Sequence, residues 1–120
     1  MTQLTQSEIK TIKGLHKSNM ALMDITPYMS IGVQTVFTYV AAHPGCTMSD
    51  IIKETGYSQA SISRYIHDLS DAGRMKAASE RAKGLCLLEI KVNPLNMRER
   101  LLYLSIPGAA LARELIGYLH

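Results

Sequence analysis

Residues 47–69 read TMSDIIKETGYSQASISRYIHDL, and the order of residue types in this stretch decides the fold. Thr47, with Asp50 three positions later, resembles a capping box that opens a helix over Thr47–Thr55, Asp standing where Glu or Gln is usual. Ile51 and Ile52 point inward. Gly56 ends the helix, because only glycine takes the left-handed cap at little steric cost. Ser58 then caps a further helix reaching about Ser70, whose buried face is Ile62, Ile66 and Leu69, with Ala60 as a small contact. The front of this helix carries Ser58, Gln59, Ser61, Ser63 and Arg64 within seven positions. A helix used only for packing has little reason for such an edge. A helix-turn-helix presents a recognition helix to DNA in this way.

Upstream, Ser7–Met23 reads as a helix capped by Ser7, with Ile9, Ile12, Leu15, Ala21 and Leu22 at near-helical spacing. Gly14 and the pair Ser18-Asn19 weaken that pattern. Pro27 biases Thr26 away from helical angles and marks a break over residues 24–27. Ser30–Ala42 is the next helix, with Ile31, Val33, Val36, Phe37, Val40 and Ala41 on a wide apolar face. It stops at His43-Pro44-Gly45. Phe37, the single phenylalanine, belongs in the core.

Downstream, Ala72-Gly73 closes the recognition helix and a basic linker covers residues 74–83. The period then changes. Leu85–Val92 and Arg100–Ser105 read as strands, separated by the turn-rich Asn93-Pro94-Leu95-Asn96-Met97-Arg98-Glu99. The expectation is an antiparallel hairpin with a long, basic tip. Pro107-Gly108 opens a last helix, Ala109 to about Leu119, striped by Leu111, Leu115, Ile116 and Leu119. The whole is mainly α with a small β-hairpin, an α+β winged helix-turn-helix with flanking N- and C-terminal helices.

The 120 residues fit one domain spanning 1–120. No run of about 18 apolar residues offers a membrane span, and MTQLTQSEIK lacks the order of a signal peptide, so a cytoplasmic location is expected. Cys46 and Cys86 form no metal spacing and no disulfide framework. Net charge is only +3, but it is unevenly placed. Residues 74–100 hold seven basic and three acidic side chains, a net +4, leaving −1 for the rest. A polyanion near that segment meets a local basic field, although scattered lysines and arginines also suit a plain solvated loop.

The sequence resembles the MarR-like (multiple antibiotic resistance regulator) family of winged-helix transcription regulators, and within it the short bacterial and phage- or plasmid-borne members. The pieces that carry the resemblance are VFTYVAAHPGCTMSDIIKETGYSQASISRYIHDLSDAG, residues 36–73, and GLCLLEIKVNPLNMRERLLYLSIPGAAL, residues 84–111. The resemblance implies a homodimer in which the terminal helices, here 7–23 and 109–119, form the interface and the wings flank the DNA. A terminal helix with four apolar positions and little of its own domain to cover it agrees with an isologous contact; packing of the two terminal helices on each other alone is the alternative. At the wing the family's turn reads Asp-Pro-x-Asp-Arg-Arg, whereas this chain has Asn93-Pro94-Leu95-Asn96-Met97-Arg98. Both acids are amides here and the first arginine is Met97. The family's Asp orients the second arginine by a charge-assisted bond, which Asn96 can only approximate.

In that setting the recognition helix enters the major groove N-terminus first. Gln59 can pair with adenine and Arg64 with guanine or a phosphate. Ser58, Ser61 and Ser63 can bond phosphates or base edges; Tyr65 and His67 lie further along, and Tyr57 and Tyr65 can reach phosphates. Arg98 and Arg100 bracket the minor groove at the wing, and Lys76, Arg81 and Lys83 add nonspecific phosphate attraction. The expected partners are double-stranded DNA, a second copy of the chain and a small-molecule effector, with no membrane. Relatives carry an effector pocket between the dimer helices and the DNA-binding lobe. Met20, Met23 and Met29 can line an adaptable pocket there, ordinary core being their plainer use. Cys46 precedes a helix start, a position that can lower a thiol's pKa and allow redox sensing; Cys86 is expected to alternate into the hairpin and be buried.

The rival reading is a winged helix that binds protein, or serves replication or recombination as an accessory module, since fold does not settle function. An enzyme is the weakest class. His16, His43, His67 and His120 are scattered with no metal spacing, and His67-Asp68 are helix neighbours that do not face each other. No glycine-rich phosphate loop is present. No catalytic residue, metal or cofactor is expected.

Overall fold

Local capping chemistry sets where most helices begin. In the computed structural model, which describes residues 3–25, 29–70, 75–77, 80–81 and 84–119, five helices and two hairpins follow in the order α1 (Gln6–Ile25), α2 (Ile31–Ala42), α3 (Met48–Thr55), α4 (Gln59–Leu69), β1 (Met75–Ala77), β2 (Glu80–Arg81), β3 (Leu88–Asn93), β4 (Asn96–Leu104) and α5 (Ile106–Leu119). The Ser30 hydroxyl accepts the Val33 N–H at the head of α2. Thr47 and Asp50 make a reciprocal capping box at α3, and Ser58 accepts the Ser61 N–H at α4. At α5 the Ser105 hydroxyl accepts the Gly108 N–H and donates to the Cys86 carbonyl. The last helix therefore opens at Ile106, three residues before the expected Ala109, with Pro107 in its first turn, where a missing N–H costs nothing.

The core lies where α2, α3, α4 and β4 meet. Val36, Val40, Ile51, Ile62, Leu69 and Leu102 are fully buried there, and Phe37 joins them as expected. Cys46 bridges to Leu102, exchanging backbone hydrogen bonds of 2.8 and 2.9 Å through Gly45 and Cys46, so the loop after α2 lies alongside β4 as a rudimentary third strand. Residues 85–87 do not begin the ladder, contrary to the expected strand Leu85–Val92. Their N–H groups instead donate to the carbonyls of Asp68, Ser70 and Leu69 at the end of α4, supplying donors to acceptors that a helix C-terminus otherwise leaves unsatisfied. Cys86 sits in this connection with φ 58° and is half-buried, not buried in the hairpin.

The wing departs from expectation in another way. β3 and β4 are antiparallel from Leu88↔Leu104 to Asn93↔Asn96, so Asn96–Glu99 lie in the strand and only Pro94 and Leu95 turn. The tip is tight, not long. Asn93 explains this. Its side chain accepts the Leu95 N–H (3.0 Å) and donates to the Glu99 carboxylate (2.7 Å), closing the turn locally. The expected linker 74–83 contains the short antiparallel pair β1 and β2. The break at Pro27, the Ala72-Gly73 stop, Arg74 and Lys83 lie outside the described residues.

The terminal helices pack together on a seam of small residues. A Cβ added to Gly14 would fall 2.1 Å from the Tyr118 carbonyl oxygen, so glycine lets the two backbones approach closely. Ser18, one turn on, is buried and donates to the Gly14 carbonyl, and Leu22 continues the seam. Ile12, Met20 and Met23 lie on roughly the opposite side of α1 and are about half-exposed. The apolar spacing of α1 is thus real, but of Ile9, Ile12, Leu15, Ala21 and Leu22 only Leu22 is buried. The Cα radius of gyration, 16.2 Å, exceeds the roughly 13.6 Å of a globule of this length. Among the described residues no helix is long and apolar enough to cross a membrane.

Candidate nucleic-acid interface

The turn between α3 and α4 is fixed by bonds that its own residues make. Thr55 donates its hydroxyl to the Ile51 carbonyl and accepts the Tyr57 N–H. Gly56, at φ 74°, bonds back to Ile52. Ser58 caps α4 and also meets the Ser61 hydroxyl at 3.1 Å, so both serines are engaged in holding the helix start. Tyr65 is half-buried. Its ring meets Tyr57 edge-on at 5.7 Å, and a Cβ at Gly32 would lie 2.5 Å from it. Tyr65 therefore pins α4 onto α2, and Gly32 makes room for it. The ring does not stand free toward solvent.

With Ile62, Ile66 and Leu69 buried, helical geometry turns Ala60, Arg64 and His67 furthest outward. Arg64 is exposed, its guanidinium 5.7 Å from the Tyr65 ring centroid, a loose contact that leaves its donors available. Gln59, Ser63 and His67 lie on the flank toward the wing. They line one groove together with Arg98 and Arg100 of β4 and the first turn of α3. Five of the residues singled out in the sequence are thereby brought to a common surface. Arg64 is exposed on the same helix outside the groove's lining, and Ser58, Ser61 and Tyr65 serve the helix that carries it. Lys76 and Arg81 fall on β1 and β2, their side chains outside the described residues.

Sequence reasoning missed Thr47, Ser49 and Ile90, which complete the groove. The signal was present in α3, whose first turn pairs small polar residues with a capping box. At the wing, Asn96 accepts the Arg98 backbone N–H at 3.2 Å and makes no bond to its guanidinium. The orienting role of the family's acid is thus not reproduced. Arg100 donates to the Met97 carbonyl at 2.7 Å, which folds its side chain along the ribbon.

Cys46 is the clear correction. Its thiol is buried, and burial, helped by the negative charge of Asp50, pushes its pKa up to about 11. Position before α3 does not bring it down, because burial outweighs the lowering by its own backbone N–H. A thiol held protonated is a poor redox sensor. Between α1 and α5 a second, open groove is lined by Lys17, Met20, Asp24, Leu111, Glu114 and Tyr118. Of the methionines considered for a pocket, Met20 lines it, Met23 is exposed and Met29 packs against the core. Among the described residues no three His, Cys, Asp or Glu side chains converge as a metal site would require.

Comparison with known proteins agrees with this architecture. Residues 35–73 match the family model of the MarR family. A search of curated proteins returns no match. Among solved structures, an S. aureus MepR variant bound to an oligodeoxyribonucleotide superposes with a TM-score of 0.65 at 16% identity, covering 96% of this chain and 76% of that one. The crystal structure of MarR gives 0.58 at 12% identity, over 92% of this chain. The chain spans only 64% of the length of that MarR chain. Bordetella bronchiseptica BpsR, whose DNA binding is regulated by 6-hydroxynicotinic acid, gives 0.54 at 20% identity over 95% of this chain and 78% of its own. Taken together, the shared arrangement of wing and flanking helices shows the winged helix-turn-helix fold, and the matched helix-turn-helix stretch, about a third of the chain, is similar to the MarR family.

Proposed function

We propose that the protein is a sequence-specific double-stranded DNA-binding transcriptional regulator, acting as a homodimer on a pseudo-palindromic site and repressing by occupying a promoter. One observation carries the reading: Gln59, Ser63 and His67 of the recognition helix share a groove with Arg98 and Arg100 of the wing, and Arg64 is exposed on the same helix. Neutral hydrogen-bonding groups suit base edges, and arginines suit phosphates. The similarity to a DNA-bound MepR variant supports it.

Support for the homodimer comes from the terminal helices. Ile12, Leu15, Met20 and Met23 of α1, with Ile116 and Leu119 of α5, leave an apolar face that the chain itself does not cover, and a second copy buries such a face symmetrically. Two recognition helices then read half-sites about one helical turn apart. The groove between α1 and α5 is the seat we assign to a small-molecule effector, in keeping with the ligand-regulated relative.

The test is selection of bound duplexes from random DNA, followed by gel shift across a salt series. Affinity falls steeply with salt if phosphates carry the binding. Arg64→Ala lowers affinity for the selected duplex by about 5- to 150-fold, the worth of one bidentate arginine, whereas Leu4→Ala leaves it unchanged. Equal binding by the two variants refutes the assignment.

A further inference from the structure

The part of the wing that projects furthest carries no charge. From Asn93 to Met97 the residues are Asn, Pro, Leu, Asn and Met. Leu95, at the turn, is 94% exposed, the most exposed large apolar side chain among the described residues, and Met97 beside it is 68% exposed. Neither touches the core. The turn that presents them is locked: Asn93 holds the Leu95 N–H and the Glu99 carboxylate, and Asn96 holds the Arg98 N–H. Arg100 is folded back onto the Met97 carbonyl. A wing that only tracked phosphates would lead with its cations. Here the cations stand behind and an apolar side chain leads.

Reach decides where that side chain goes. Arg98 and Arg100 line the groove beside the recognition helix. At about 3.3 Å per strand residue the turn at Leu95 lies roughly 10 Å beyond Arg98. With α4 in a major groove about 12 Å wide, that distance carries the tip over one sugar–phosphate ridge to the adjoining minor groove. Arg98, exposed on the same ribbon, is then left beside the ridge. A protein partner at the tip would not explain why the ribbon's arginines face the groove of the recognition helix.

Resting on the DNA-binding reading above, we propose that Leu95, backed by Met97, is a minor-groove wedge. It enters between two base pairs, partly unstacks them and kinks the duplex toward the major groove, as apolar wedges do in architectural proteins. Its specificity is for deformable pyrimidine–purine steps, TA or CA/TG, at a position that no base-reading side chain touches.

The experiment uses the full chain and a duplex it selects from random DNA, with 2-aminopurine replacing adenine at successive positions outside the half-sites. Binding raises the fluorescence of one such position several-fold. Leu95→Ala abolishes that rise and weakens binding by about 5- to 10-fold with the salt slope unchanged, because no phosphate contact is lost. Leu95→Phe restores the rise. Tight binding with no fluorescence rise at any position, or an equal rise with Leu95→Ala, overturns the wedge while leaving the regulator reading intact. Failure of the wild-type chain to bind any duplex at low salt overturns both.

Discussion

The reading lobe and the terminal helices solve the same packing problem to different degrees. Around α4, Phe37, Ile51, Ile62, Leu69, Leu102, Val36 and Val40 are shut almost wholly from water. Along α1 and α5 only Leu22 and Leu111 are buried among the large apolar side chains, and Ile12, Leu15, Met20, Met23, Ile116 and Leu119 stay about half-exposed. The first set closes within one chain. The second is joined by a seam of Gly14, Ser18 and Leu22 that holds the two helices to each other and spends little of their apolar surface. On the proposed function, a lobe that holds base-reading groups in register needs a rigid base, whereas helices that receive a second copy need an open apolar face.

That contrast breaks most visibly in the lobe. Ile62→Ala removes a fully buried side chain of α4 and costs about 2 to 5 kcal/mol, transfer and cavity terms together. A urea midpoint shift smaller than for an equivalent change in α1, such as Ile12→Ala, would show the lobe to be the looser region. Gly14→Ala is next. In an open helix the change would stabilise by about 1 kcal/mol through propensity alone. Here the new Cβ meets the Tyr118 carbonyl at 2.1 Å, and backbone cannot step aside as a side-chain end can. The clash wins, giving a net loss of about 1 to 3 kcal/mol and weaker self-association in sedimentation. A more stable variant would mean that α1 and α5 do not touch there.

How far this was legible in the sequence follows the range of the forces involved. Thr47, Gly56 and Ser58 act on backbone groups two to four residues away, and the helix-turn-helix they bound appears where they place it. The face of α1 depends on its neighbour. Gly14 and Ser18 looked like weak points in a helix because their value lies in the approach of α5, which spacing alone does not encode. The wing turn misled for another reason. Asn96–Glu99 is polar because both faces of the hairpin meet water there, not because the ladder has ended, and Asn93 closes a turn that composition suggested was long. In the interface, the outward side of α4 was readable from its buried side. The convergence of α3, α4 and β4 on one groove was not, since it needs the sheet register.

Thr47→Ala tests the rigidity of the reading lobe on a smaller scale. It removes the hydroxyl that accepts the Asp50 N–H at 3.2 Å and leaves Asp50 bonded only to the Thr47 backbone. The loss is about 1 kcal/mol. Because Thr47 also lines the groove, the variant separates two roles. If the cap matters only for stability, DNA affinity at low temperature is unchanged while the urea midpoint falls. A midpoint equal to wild type would show that the box does not hold α3.

The effect confined to alkaline pH concerns charge inside the lobe. The Cys46 thiol has its pKa raised to about 11, first by burial and then by Asp50. In an unfolded chain a thiol ionises near 8.5. The fold prefers the protonated form, so the stability this group contributes is fully present below about pH 8.5 and is lost as pH rises through 11. Tyr39, whose phenol is also pushed upward by burial, adds a slope of the same sign. Cys46→Ala removes the thiol together with the part of the Tyr39 shift that the thiolate's charge causes, so the comparison reads the two as one. The wild-type urea midpoint then falls more steeply than the variant's between about pH 9 and 11, and the two run parallel below about pH 8. Parallel curves throughout would mean that the thiol reaches water in the folded protein. The loop carrying Cys46 alongside β4 would then be open, and the reading lobe less closed than the terminal helices it is set against.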